Sequence, residues 1–195
     1  MFAEPPDLDG RLVEAVERLG DTARALLRRA AAAPGLSPPQ AQLLLRITSA
    51  TAPRTGTGAL AGWLEVSAPT VSDALGSLAA KGLAERARPS DPRAWTATPR
   101  GHDVARRLRR WRDPLLAALL DQPAARKADA LTALLQMIAT LNADGHISTA
   151  RTCLTCRFLR DDPPGDAWWC TLLDTALAPA DLRVDCPEHA ARPTA

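Results

Sequence analysis

All four cysteines of the 195-residue chain fall between positions 153 and 186. Cys153 and Cys156 form a Cys-x-x-Cys turn, a spacing that delivers two thiolates to one metal in a fixed geometry. Cys170 and Cys186 follow after gaps of 13 and 15 residues and supply two further sulfur ligands. Cys186-Pro187-Glu188-His189 offers a second two-residue spacing, so His189 is an alternative fourth ligand, with Cys170 then left free. Three chemistries fit this set: an iron–sulfur cluster, a zinc ion, or a thiol–disulfide switch. The proline after Cys186, with Phe158, Trp168 and Trp169 at hand to exclude solvent, places the iron–sulfur cluster slightly ahead of zinc. Pro163-Pro164-Gly165 and Ala178-Pro179 cut the segment into short pieces. A metal is therefore expected to hold it together in place of a core.

A second concentration is electrostatic. The whole chain carries only +2, yet residues 81–112 hold ten cations against three carboxylates, a net +7. Such a stretch suits a polyanionic partner. Arg106, Arg107, Arg109, Arg110 and Arg112 equally suit the solvated face of an amphipathic helix. An enzyme is not expected. A dithiol oxidoreductase motif belongs beside a βαβ pattern, and the tail has none. No glycine-rich phosphate loop and no Ser/His/Asp arrangement stands out. His102 and His146 lie apart from the cysteines and read as surface or packing residues.

The elements that must position these groups follow from periodicity. With 46% hydrophobic and 24% charged residues, the chain has material for one core and a small appendage. No stretch approaches the roughly 18 apolar residues of a membrane span. The acidic, proline-broken start is no signal peptide, so a cytoplasmic location and no membrane contact are expected. Leu8, Leu12, Val16, Leu19, Ala23, Leu26 and Ala30 recur at helical spacing behind Asp7 as N-cap, until Pro34-Gly35. Ser37-Pro38 opens a second helix with Leu43, Leu44, Leu45 and Ile47. A short helix over 58–64 turns at Glu65-Val66 into another, capped by Ser67 with Pro69 in its first turn. There Val71, Leu75 and Leu78 share one face; Ala68, Thr70, Ser72, Asp73 and Ser77 share the other. Residues 83–87 and 94–97 read as a hairpin, Thr98-Pro99 as a helix start. Asp113-Pro114 is expected to kink or restart that helix. A last long helix carries Leu131, Leu134, Leu135, Ile138 and Leu141.

The pattern Leu60-Ala61-x-x-Leu64-x-Val66-Ser67, then Pro69-Thr70-Val71-Ser72, Leu75, Leu78, Lys81-Gly82-Leu83 and Glu85-Arg86, resembles the winged helix-turn-helix of MarR-type regulators. Asp91-x-Arg93 and Thr98-Pro99-Arg100-Gly101 look like that family's wing tip and next helix start. Asp73 departs from the family, which often has Arg there, and the wing is short. The resemblance spans about residues 8–145 and leaves the cysteine tail outside.

It implies a mainly α fold, a winged helix-turn-helix with long dimerisation helices, to which the cysteine spacing adds a small metal-stapled C-terminal segment. The divisions would be an N-terminal dimerisation helix (1–36), the winged domain (37–101), C-terminal dimerisation helices (102–146) and the cysteine tail (147–195). It also implies a homodimeric regulator, read as a repressor, on a pseudo-palindromic double-stranded DNA operator. Residues 67–81 would enter the major groove, with Ser67, Ala68, Pro69, Thr70, Ser72, Asp73 and Ser77 facing DNA. Arg88 and Arg93 would reach it from the wing. The tail would sense redox state or metal. The alternative is a purely structural zinc, with a small aromatic effector bound near Trp63, Trp95 and Trp111.

Overall fold

The computed structural model describes residues 7–49, 55–87, 93–160 and 168–192. Seven α-helices, a two-stranded wing and a three-stranded sheet follow in order: α1 (Leu8–Ala32), α2 (Pro38–Ile47), α3 (Thr57–Leu64), α4 (Ala68–Ala80), β1 (Ala84–Arg86), β2 (Trp95–Ala97), α5 (Pro99–Leu108), α6 (Asp113–Leu119), α7 (Ala124–Ala143), β3 (Leu159–Arg160), β4 (Trp168–Cys170) and β5 (Thr175–Leu177). Among the described residues no helix is long and apolar enough to cross a membrane.

Side-chain caps set most helix starts. Asp7 accepts from the Gly10 N–H at 2.8 Å, Ser67 from Thr70 at 3.3 Å and Thr98 from Gly101 at 3.0 Å. Ser37 and Gln40 close a reciprocal capping box ahead of α2. Each cap satisfies an N–H that the helix itself leaves unpaired. Gly35 and Gly82 end their helices at positive φ, where a side chain would strain the backbone. The helix after β2 does not simply kink at Asp113-Pro114. It tightens into a 3-10 turn over Arg109–Arg112, and α6 restarts with the proline in its first turn.

The main core joins α1–α5 and the wing: Leu27, Leu43, Leu44, Leu60, Val71, Leu75, Leu78, Leu83, Trp95, Val104 and Leu108 are buried together. β1 and β2 pair antiparallel, Ala84 opposite Ala97 and Arg86 opposite Trp95. Outside that core a large apolar surface stays open. Leu8, Leu12, Val13, Val16 and Leu19 on α1 are exposed, as are Leu116, Leu119 and Leu120 at the end of α6 and Leu134, Met137 and Leu141 on α7.

The tail differs from its expectation. It does build a core, because it borrows a face of α7. Leu135 is fully buried against Cys153, Leu159 and Leu182, with Leu131, Leu154, Trp168 and Leu177 packed around them. The sheet runs β3-β4-β5, all antiparallel. Its strands are two or three residues long, too short for a period-2 pattern to show in the sequence.

α5 lies close against the wing at Gly101. A Cβ built there would sit 2.0 Å from the Leu83 carbonyl oxygen, which also accepts from the Thr98 N–H at 3.2 Å. We expect Gly101→Ala to lower unfolding free energy by about 1–3 kcal/mol, as overpacking does; urea denaturation measures it, and an unchanged midpoint would contradict the tight approach.

Candidate functional site

α3 and α4 meet at a turn in which Glu65 adopts the left-handed conformation, φ 54°. Val71, Leu75 and Leu78 are buried and hold α4 to the core. Ser67, Ala68, Pro69, Thr70, Ser72 and Asp73 form an exposed face of small side chains. Ser67 is spent locally, since its hydroxyl caps α4 and lies 2.8 Å from the Thr70 hydroxyl. Ser77 departs from expectation more fully. It is half-buried, and its hydroxyl accepts from Gln40 Nε2 at 2.9 Å, so it faces α2 rather than solvent. Lys81 reinforces that contact through Gly35 O at 2.6 Å and Gln40 Oε1 at 3.0 Å. On the wing, Arg93 is exposed, and Arg86 lies over the Trp95 ring at 4.2 Å. Arg88 and Asp91 lie outside the described residues. The arginines at 106, 107, 109, 110 and 112 are all exposed, as a solvated helix face would be.

The four cysteines converge. Cys153, Cys156, Cys170 and Cys186 line one small cavity of about 30 Å³, with Phe158, Leu159, Leu172, Leu173, Leu177, Arg183 and Glu188. Leucines line it where Trp168 and Trp169 were expected; Trp168 is used instead in the small core on α7. Cys153 Sγ accepts from the Arg183 backbone N–H at 3.2 Å, and the Arg183 guanidinium stands 3.9 Å from Cys186 Sγ. Burial pushes the Cys153 thiol pKa up, and the neighbouring sulfurs of Cys186, Cys156 and Cys170 push it the same way. His189 is not in this wall. Its Nε2 lies 2.9 Å from the Thr155 hydroxyl, and burial lowers its pKa. As they stand, no three His, Cys, Asp or Glu side chains among the described residues form a ready metal-binding group. The four sulfurs share one cavity.

A larger cavity of about 600 Å³ lies between the winged part and the tail. Leu45, Arg46 and Trp63 form one side, Arg109 and Arg112 a second, and Arg151, Thr152 and Asp185 a third. Of the three tryptophans expected at an effector pocket, only Trp63 lines it. Trp95 is buried in the main core, and Trp111 packs against that core's edge. Sequence reasoning also missed Arg46. Its side chain is 7% exposed, pairs with Asp185 and stacks over Trp63 at 4.9 Å. Asp185 pairs in turn with Arg151 at 2.9 Å.

No family model matches the chain, and no curated protein does. Solved structures do match. A MarR-family transcriptional regulator from Silicibacter pomeroyi is 25% identical, with a TM-score of 0.59 over 69% of this chain and 92% of its own. CouR from Rhodococcus jostii RHA1, solved with p-coumaroyl-CoA bound, is 20% identical with a TM-score of 0.52, covering 68% and 92%. A mutant of MepR from S. aureus is 18% identical with a TM-score of 0.52, covering 70% and 99%. Each neighbour is matched almost whole, whereas this chain is matched over a share that its helical part alone would fill.

The thiol geometry makes a pH-dependent expectation. A raised pKa keeps Cys153 protonated at neutral pH, and only the thiolate attacks. Iodoacetamide should therefore label Cys153 more slowly than the half-buried Cys170 in metal-stripped, reduced protein. The gap should narrow as pH rises through and above the ordinary thiol range. Mass-mapped alkylation rates test this; equal rates at neutral pH would refute it.

Proposed function

We propose that the chain, whose fold is similar to that of a MarR-family transcriptional regulator, acts as a dimeric DNA-binding transcriptional regulator, a repressor, that senses redox state or metal through its tail. One observation carries the DNA-binding half. α4 buries Val71, Leu75 and Leu78 and leaves a face of Ala68, Pro69, Thr70, Ser72 and Asp73 open. Short side chains let a helix backbone come close to base edges in the major groove, which is wide enough to admit it. Asp73 accepts from a cytosine amino group there, and Arg93 reaches the backbone or minor groove from the wing. Ser77 instead fixes α4 on α2. The exposed leucines of α1, α6 and α7 exceed what a soluble monomer usually leaves uncovered. A second copy covers them, and its two-fold axis calls for a pseudo-palindromic site.

The sensing half rests on the shared cysteine cavity. Cys153, Cys156, Cys170 and Cys186 are the proposed ligands, and the Thr155 contact of His189 favours Cys170 over it. An all-sulfur set in a mostly leucine-lined cavity suits an iron–sulfur cluster slightly better than zinc. Such a group supplies a charge and, in the iron case, a redox state that changes with conditions. The chain's own part is to donate the Arg183 N–H to Cys153 and to hold a cation near Cys186. A second reading is favoured by the 600 Å³ cavity: four arginines and Trp63 against one carboxylate, Asp185, suit an organic anion with a flat apolar body. In that reading the tail holds structural zinc.

Two experiments test these readings. Thr70→Glu with Ser72→Glu, both at exposed positions, sets carboxylates against phosphate and should weaken binding to a selected duplex by about tenfold or more. Melting temperature should not change; retained affinity would remove α4 from the interface. Anaerobically purified protein should carry iron and sulfide in matching amounts, with broad visible absorption, lost in Cys170→Ser and kept in His189→Ala. Colourless protein with one zinc per chain would favour the second reading, and loss only in His189→Ala would overturn the four-sulfur set.

A further inference from the structure

The tail is fastened to the DNA-binding part at two places, both beside groups that matter to its proposed role. At the first, Arg46 on α2 pairs with Asp185, the residue before Cys186. Asp185 also holds Arg151 at 2.9 Å. Arg151 grips Cys186 from both sides of its backbone. The Arg151 carbonyl accepts from the Cys186 N–H at 2.9 Å, and its guanidinium donates to the Cys186 carbonyl. At the second, the Ser148 N–H and hydroxyl reach Glu65 Oε1 at 2.7 and 2.8 Å. Glu65 is the left-handed residue of the turn into α4. These hydrogen bonds lower its carboxyl pKa, which keeps it charged and accepting. Gly62 lets the linker settle on α3, with Thr149 Oγ1 3.3 Å from where a Cβ would be.

From Arg46 the path to α4 is short. α2 carries Gln40, which donates to Ser77 on α4 at 2.9 Å and accepts from Lys81 at its end. Between the two fastenings lies the 600 Å³ cavity, walled by both parts, so the tail has room to shift against the winged part. Loading can act along this path because Cys186, a thiolate ligand that bonds zinc at about 2.3 Å, is the residue after Asp185.

We propose that Asp185 is the positioning residue through which loading of the four cysteines acts on α4. When a metal fixes Cys186, the adjoining Asp185 is fixed with it. Arg46 is buried, and a buried charge follows its partner rather than part from it. α2 and, through Gln40 and Ser77, α4 are thereby re-set, while Ser148 and Glu65 adjust the turn between α3 and α4. The proposal rests on the sensing reading above.

The test compares full-length protein reloaded anaerobically with iron and sulfide, or with zinc if that is what it carries, with protein stripped by chelator. Affinity for the duplex it selects from a random pool is read by fluorescence anisotropy at fixed salt. We expect the two forms of the parent to differ by about tenfold. In Asp185→Asn, compared at matched metal content and dimer concentration, the ratio should fall to within about twofold, and Asp185→Glu should restore most of it. Gln40→Ala, which cuts the same path between α2 and α4, should also shrink the ratio, and it decides the matter if Asp185→Asn fails to fold. A parent ratio kept in both variants would overturn the proposal alone. A parent that loads metal and binds DNA equally in both forms would overturn the sensing reading too.

Discussion

A guanidinium taken out of water is tolerated only with a matched anion, and in this protein the two halves of that bargain lie 139 residues apart. Arg46 is among the two polar or charged side chains buried in the described structure, and Asp185 comes to it from the far end of the chain. The pair makes the tail part of the fold rather than an appendix to it. Asp185 cannot leave without stranding a charge, and Cys186 is next to it in the backbone. The position of the thiol cavity therefore depends on a contact with the winged part, and the 600 Å³ space between them is bounded by that contact.

The same economy shapes the small core. A segment of fewer than fifty residues has too little apolar surface to fold alone. It solves this by laying Leu159, Leu182 and Cys153 on Leu135 of α7. α7 thus has two apolar faces, one covered by the tail and one, with Leu134, Met137 and Leu141, left open to solvent within a single chain. One helix serves both the tail and the surface proposed to meet a second copy.

How much of this the sequence discloses varies with the range of the interaction. Caps are local, so Asp7, Ser37, Ser67 and Thr98 were legible, and with them the helix order and the wing. Val71, Leu75 and Leu78 stand at helical spacing and declare their burial. The convergence of the cysteines was also readable from their clustering. What stayed hidden was tertiary. Nothing in the spacing of Arg46 and Asp185 pairs them, because opposite charges far apart in sequence leave no periodic trace. Ser77 looked free because it was grouped with Thr70 and Ser72 as a small polar residue off the apolar stripe; only the approach of Gln40 removes it. The tryptophans misled for a related reason: an indole fills whichever hydrophobic space is nearest, and Trp95 found the main core while Trp168 found the small one. Leu172 and Leu173, which line the thiol cavity, had no feature to single them out.

Order of synthesis adds a last consequence. α2 leaves the ribosome long before residue 185 exists, so Arg46 must wait, hydrated, for its partner. Arg46 can take its final pairing only once the tail has been made. A chain that stops early lacks both Asp185 and the tail's cover over Leu135 of α7, and that bare apolar face marks it as unfinished to any protease or chaperone that tests for loose packing.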